Sequence, residues 1–519
     1  MIKAVTAHAT SSVERFKASV DLRRKRIWIH AALAHAVPLA ALLGANSVSG
    51  STQTRASQPS MAFVSAPSVS ASTVDLTLTD AVYLGLRDNR SIRSAYLRRI
   101  EQKFSLRVAE NSFMPQSKIT SKSQANRGSA DHQRDYSLSP STKLLNQWGT
   151  LFSLSWTQHF NRAKQGGHKQ ENGLVFQVVQ PLLRGAGRDI VTASVRSARL
   201  AEDGNRLKLR ATVSQAVTQI VLAYRELLKA QEQQRIAHAA LTRHRDLLEV
   251  NKALITAGRM AEFESVQTEA QLASQEMNVE ETANQLDQNR LKFLQLLALD
   301  QGTQLRASDV LKVERLEMDR QHALRVALAQ QPEYLQQLIA GEQAQIDLRV
   351  AENQRLWDVS LIGGASQSRS SPGTEPLHIN RSWDSYAGLQ LTIPIGDLSA
   401  RKQVVSAQVA LQNHAIQQAG ARQTLEQNVN DSVRDMSARW RQYEIAQRVQ
   451  QLSQRKLDIE RDKLQLGRSS NFQVLSFEDD LRQSKNAMLN AQIAYLNAQT
   501  ELDERLGMTL QSWEIALND

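Results

Sequence analysis

The run Leu389-Gln390-Leu391-Thr392-Ile393-Pro394-Ile395 sets its apolar side chains on one face and the others opposite, a period of two that reads as strand. Upstream, Trp357, Val359 and Leu361 alternate with Asp358 and Ser360 in the same way. The polar stretch from Ser366 to Ser385, with Pro372-Gly373 inside it, supplies the turn between them. Earlier in the chain, Phe152, Leu154 and Trp156 alternate with Ser153, Ser155 and Thr157, and Leu174 to Gln180 forms another extended run. Leu138 to Leu145 reads either as an extra hairpin strand or as a loop. The expectation is two strand pairs, hence four strands per chain.

These pairs sit at the same place in a duplicated unit. Leu106-Arg107-Val108-Ala109-Glu110-Asn111 recurs letter for letter as Leu348 to Asn353, and Ala81 with Ala323 and Leu86 with Leu328 keep the same spacing. Pro181 corresponds to Pro394, Arg188 to Arg401, Gly258-Arg259 to Gly467-Arg468, and Phe263 to Phe472. Each copy opens with a helical segment, about 78 to 113 and 319 to 354, continues into the strands, and ends in a helical hairpin. The expected boundaries are a first repeat over 75–300, a second over 315–510 and a tail over 511–519.

The hairpins lie in two tracts without proline, 182 to 331 and 395 to 519. Val213, Val217, Ile220, Tyr224 and Leu227 step by four and three, as do Val429, Val433, Met436, Trp440 and Tyr443. That is the spacing of a helix-pairing seam. The return helices carry it too, through Leu272, Val279, Leu286 and Phe293, and through Val474, Leu481, Met488, Tyr495 and Leu502. Gly258 and Gly467 fall between outgoing and return helices, where a left-handed residue ends a helix. An outgoing helix of about 70 residues reaches roughly 105 Å.

Composition removes other classes. With no cysteine among 519 residues, a disulfide framework, a thiolate zinc site, a Cys nucleophile and a lipid-modified N-terminal Cys are excluded. The net charge of +11 invites a nucleic-acid partner, but the first 60 residues supply over half of the excess, and the remainder is too thinly spread for such a footprint. Arg23-Arg24-Lys25-Arg26, the mostly apolar Ile27 to Leu43 and the small residues after Gly44 describe a secretory signal within residues 1–50, followed by a linker over 51–74. The apolar run contains His30, His35 and Pro38 and falls short of the roughly 20 residues of a spanning helix. Any membrane the exported chain crosses is therefore crossed by strands.

Four strands cannot close a barrel, and an open sheet in lipid leaves backbone groups unsatisfied, so copies of the chain must share one cylinder. In its duplicated unit, its Gly467-Arg468, Phe472 and Val474-Leu475 turn, the block Gln180-Pro181-Leu182-Leu183-Arg184-Gly185-Ala186-Gly187-Arg188 and the leading Leu76-Thr77-Leu78-Thr79-Asp80-Ala81-Val82, the chain resembles the TolC-like outer-membrane efflux proteins, or outer membrane factors, over about residues 75 to 510. The resemblance implies an α+β membrane protein: a homotrimer with a twelve-stranded outer-membrane barrel continuous with a periplasmic α-helical barrel. It also implies an exit duct, in the outer membrane of a Gram-negative bacterium, for an inner-membrane pump or type I secretion machine joined by a periplasmic adaptor (membrane fusion) protein. Lack of cysteine sets the chain apart from the lipoprotein branch of that family.

By the same resemblance the hairpin turns form the periplasmic entrance, which places Gly258, Arg259, Glu262, Glu264, Gly467, Arg468 and Gln473 around it. Where the family commonly has an Asp six residues after the turn glycine, the copies have Glu264 and Gln473, and the next acidic position is Ser476, so the second acidic ring is unmatched.

No motif announces catalysis, a cofactor or a metal. Gly185-Ala186-Gly187 begins like a dinucleotide loop, yet Ile190 stands where the third glycine belongs, so the block reads as a strand-to-helix turn. His238 and His244 are six apart, which is not ligand spacing on one helical face. Trp148, Trp156, Trp357 and Trp383 flank or occupy strands, as an interfacial aromatic belt or as ordinary packing. Heptads alone would also suit a structural periplasmic coiled-coil protein without transport activity; the paired strands favour the duct.

Overall fold

A computed structural model describes residues 73–127, 132–163, 167–371 and 380–517. The chain divides into units 1–69 and 70–519, and every described residue belongs to the second. The expected signal and most of the linker lie outside the described residues.

The first half runs β1 (Val74–Leu76), α1 (Leu78–Asp88), α2 (Arg90–Glu110), strands β2 (Gln116–Arg127), β3 (His132–Leu145), β4 (Leu151–Ala163) and β5 (Gly167–Pro181), a short α3 (Arg188–Val191), then α4 (Ala193–Thr256) and α5 (Phe263–Leu296). The second half runs β6 (Leu305–Ala307), α6 (Arg320–Gln330), α7 (Pro332–Gln354), β7 (Asp358–Ser371), β8 (Asn380–Thr392), α8 (Ser399–Gln465), α9 (Asn471–Leu506) and the short α10 (Thr509–Ser512).

Each opening segment, expected as one helix, is broken once. Asn89 leaves the helical region and its side chain accepts from the amides of Ser91 (2.9 Å) and Ile92 (3.3 Å), capping α2. At the matching point Gln331 precedes Pro332, whose ring pushes it into extended backbone at φ −68°, ψ 115°. Tyr224 and Phe293 meet edge to face at 5.9 Å in the core under α1, and the Tyr224 hydroxyl lies 2.9 Å from both the Leu76 carbonyl and the Asp309 carboxylate. Trp513, Ile515 and Leu517 of the expected tail pack against this core. Around Met436, Tyr495 and Leu502 a second core holds α6, α8 and α9.

Among the described residues the main sheet has six strands in the order β2-β3-β4-β5-β7-β8, all antiparallel. The expectation of four strands per chain is thus corrected to six. Leu138 to Leu145 belongs to a strand, β3, paired on both sides. Its partner β2 shows no apolar alternation; Ile119 is its one large apolar residue, so its strand state comes from pairing rather than from its own pattern.

Following the ladders fixes the faces. One face gathers Tyr136, Leu138, Leu154, Trp156, Phe160, Leu174, Phe176, Leu361, Leu389 and Leu391, all exposed on the single chain. Ser137, Ser153, Ser155, His159, Gln177, Ser366 and Asp384 lie on the other. The sheet is greasy on one face and polar on the other, while no helix among the described residues is long and apolar enough to cross a membrane.

Candidate functional site at the hairpin tips

Both long hairpins turn by the same device. Gly258 and Gly467 take φ +71° and +70°, a region open to glycine at little cost. Gly258 N donates to Ile255 O (2.8 Å) and Arg259 N to Leu254 O (2.9 Å); Gly467 N donates to Leu464 O (2.9 Å) and Arg468 N to Lys463 O (2.8 Å). This paired closure is the Schellman motif, which satisfies the last carbonyls of α4 and α8. The two tips touch: Arg259 Nη2 lies 3.8 Å from where a Cβ on Gly467 would stand.

The other expected entrance residues spread along the start of the return helices. Glu262 is exposed and its carbonyl accepts from the Ser265 hydroxyl at 2.8 Å. Glu264 is half-buried, and its carbonyl accepts from Thr268 Oγ1 (3.1 Å) and Asn471 Nδ2 (3.4 Å). Half-buried Gln473 has its backbone amide capped by Ser470 Oγ at 3.3 Å. Arg259 and Arg468 are exposed, and among the described residues neither pairs with Glu262 or Glu264. The structure therefore brings Arg259 and Gly467 together and joins Glu264 to the second hairpin through its backbone, but forms no charge cluster from the seven.

Just behind the tips lies a polar knot that reading the sequence missed. Asn251 of α4, Thr268 of α5 and Asn471 of α9 are all fully buried. Asn251 Nδ2 donates to Thr268 Oγ1 (2.8 Å) and Asn471 Oδ1 (2.9 Å), and Asn471 Nδ2 donates to Thr268 Oγ1 (2.8 Å). Three helices from both hairpins share these bonds. Further along, the buried Glu478 carboxylate of α9 accepts from Arg243 Nε of α4 at 2.7 Å and pairs with Arg461 of α8. Beside it His244 is 1% exposed, and burial holds its pKa below the ordinary histidine value. A signal was present for part of this set: Asn471 and Glu478 step by three and four with Val474 and Leu481 in the α9 seam, so polar residues stand there at positions that otherwise pack, whereas His244 and Asn251 lie off the register that Val213 to Leu227 set on α4.

At the sheet end of the helices, Gly185 and Gly187 adopt φ +78° and +93°, and Gly185 N donates to Asn353 Oδ1 at 2.7 Å. Asn353 closes the repeated hexapeptide, so that repeat pins the strand-to-helix turn. A Cβ on Gly149, at φ +93° in the β3–β4 turn, would stand 2.8 Å from Gly185 O, which leaves room only for glycine. His238 lies on the exposed surface of α4, and Trp148 and Trp357 are exposed at the helix-side end of the sheet.

No known family model matches the sequence, and no curated protein matches it. Solved structures do. The outer membrane protein VceC of Vibrio cholerae aligns at TM-score 0.64 and 16% identity over 83% of this chain and 96% of its own. The CmeC outer membrane channel of Campylobacter jejuni aligns at 0.63 and 15% over 83% and 86%, and the MtrE outer membrane channel of Neisseria gonorrhoeae at 0.63 and 16% over 83% and 89%. The fold is that of TolC-like outer membrane factors.

Proposed function

We propose that this chain is an outer-membrane exit duct, assembled as a homotrimer in a Gram-negative outer membrane and extending into the periplasm. One observation carries the reading: a sheet apolar on one face and polar on the other is continuous, at one end, with helical hairpins far longer than a globular core needs. A lipid-facing sheet with two free edges must be completed by further copies, because hydrocarbon offers no partner for edge amides. The helices ask for neighbours as well. Ile445, Val449, Leu452 and Ile459 of α8 repeat the four-three spacing on a different register from the buried seam and are 47–61% exposed on the single chain.

The duplicated unit accounts for the similar order of elements in the two halves, with α1 and α6 starting at Leu78 and Arg320 and α2 and α7 at Arg90 and Pro332. Exposed Trp148 and Trp357 suit the periplasmic interface of the bilayer. The partners are a periplasmic adaptor and an inner-membrane pump, of the drug-efflux or type I secretion kind, with no cofactor, no catalytic residue and no nucleic acid. The tip residues Gly258, Arg259, Glu262, Glu264, Gly467, Arg468 and Gln473 ring the periplasmic entrance. A deletion strain tests the reading: it gains sensitivity to toxic small molecules or loses a secreted protein, and an intact phenotype on both counts argues for a rod without transport. For the entrance, Glu264→Gln and Arg468→Ala should change single-channel conductance; if neither does, the gate assignment fails.

A further inference from the structure

The strand count carries a consequence that goes beyond the duct reading while resting on its trimer. We infer that three copies close an eighteen-stranded barrel, six strands from each, in which β2 of one copy pairs with β8 of the next. The first observation is continuity. The β2–β3 hairpin is no appendage: β3 pairs with β4 from Leu145↔Leu151 to Gln133↔Ala163, the full length of the strands, and keeps the same inside and outside faces. Tyr136 and Leu138 extend the apolar face, and Ser137 and Ser141 extend the polar one.

The second observation is tilt. A line perpendicular to the strands passes through Lys122, Ser137, His159, Glu171, Ser370 and Asn380. Lys122 is six residues from the helix-side end of β2 at Gln116, and Asn380 is twelve from that of β8 at Thr392. The line climbs six residues over five strand steps, which at about 3.3 Å per residue and about 4.8 Å per step is a strand tilt of about 40°. Closed membrane barrels tilt by roughly 35–45°. The sheet therefore has the stagger of a barrel wall, and carrying that stagger one step further sets Lys122 at the level of Tyr386 to Gly388 of the partner subunit.

The third is fit between the free edges. β2 and β8 are of nearly equal length, 12 and 13 residues, and β2 pairs only with β3 among the described residues. At that level the outward side chains of β2, Ser121, Ser123 and Ala125, are small, and the partner's Trp383, 70% exposed, and the partner's Leu389, 65% exposed, have room to cover them. On the lumen side Lys118 and Lys122 meet a strand whose charged inward residue is acidic, Asp384 of the partner subunit. Because barrel diameter grows roughly linearly with strand number, the ring is about 1.5 times as wide as a twelve-stranded one, and barrels of 16 to 18 strands leave an aqueous channel. The narrow point of the conduit is then at the helix tips, not in the membrane.

Electron cryo-microscopy of the full chain, extracted from outer membranes into nanodiscs, should show eighteen strands in a threefold section. Twelve strands in a trimer would overturn this inference and leave the duct reading standing; a particle that is not a trimer would overturn both. Cross-linking tests the edge. As the chain has no cysteine, Lys122→Cys with Tyr386→Cys, or Lys122→Cys with Gly388→Cys, should yield oxidised dimers and trimers in membranes. Product from neither pair, or product from Thr157→Cys with Tyr386→Cys, which would seat β8 beside β4, contradicts the pairing.

Discussion

The helices α4 and α8 hold the same place in the two halves and are nearly the same length, 64 and 67 residues, yet they are buried very differently. Twenty-one residues of α4 are buried in the single chain, from Ala193 to Asn251, and only six of α8. The α4 sequence spreads small residues among its buried positions, such as Ala216, Ala230, Ala237 and Ala240, and packs against α5, α2, α7 and α9. On α8 large apolar residues stand exposed among the described residues, Val405, Val409 and Ile416 near one end and Ile445 to Ile459 toward the other. The difference teaches that an apolar helix face left open at regular spacing is an unfilled half of an interface. One hairpin is the anchor within the chain, and the other is the face that the proposed assembly would cover.

The contrast can be broken first at Glu478, the carboxylate that ties α4 to α8. Glu478→Ala strands Arg243 and Arg461 in a partly buried site and should cost about 3–5 kcal/mol, read in urea unfolding of the detergent-solubilised protein. Next, Ile445→Asp on the open face of α8 should leave each copy folded while weakening assembly by about 1.5–3 kcal/mol per interface, seen as loss of heat-resistant oligomers with unchanged helix content. The same change at Ile220, fully buried in α4, should prevent folding instead. Asn251→Ala unties the knot behind the tips and should cost about 1–3 kcal/mol, because Asn471 and Thr268 lose a buried donor.

The smallest effect concerns His244. Burial lowers its pKa, so the folded state binds fewer protons than the unfolded one. Its stability is therefore complete above the ordinary histidine value, about 6.5, and is lost as pH falls through the folded pKa. His244→Leu should be near neutral at pH 8 and should flatten the decline that sets in as pH falls below the ordinary histidine value of about 6.5, measured as the pH dependence of the unfolding midpoint. An unchanged slope would place acid sensitivity elsewhere.

Much of this architecture could be read from single residues, and the failures have physical causes. β4, β5, β7 and β8 alternate because one face must be apolar, and Gly258 and Gly467 mark turns because only glycine takes their φ cheaply. β2 was invisible: Gln116 to Arg127 is an edge strand of lysines, serines and glutamines held by its ladder to β3, a long-range fact absent from its own pattern. That is why four strands were expected where six are found. Asn471 was visible as a polar residue in the apolar seam of α9, but Asn251 lies off the α4 register, and which helices the buried amides join depends on how the hairpins lie together. Of the entrance residues, the contact of Arg259 with Gly467 could not be read from either turn alone.

One chain, on the proposed reading, supplies only part of a lipid-embedded cylinder. Native mass spectrometry of the protein released from outer membranes in mild detergent tests it most directly. Three identical chains are expected in one particle, falling to single chains only as the strands unfold. A stable single chain that stays soluble when detergent is removed would contradict it.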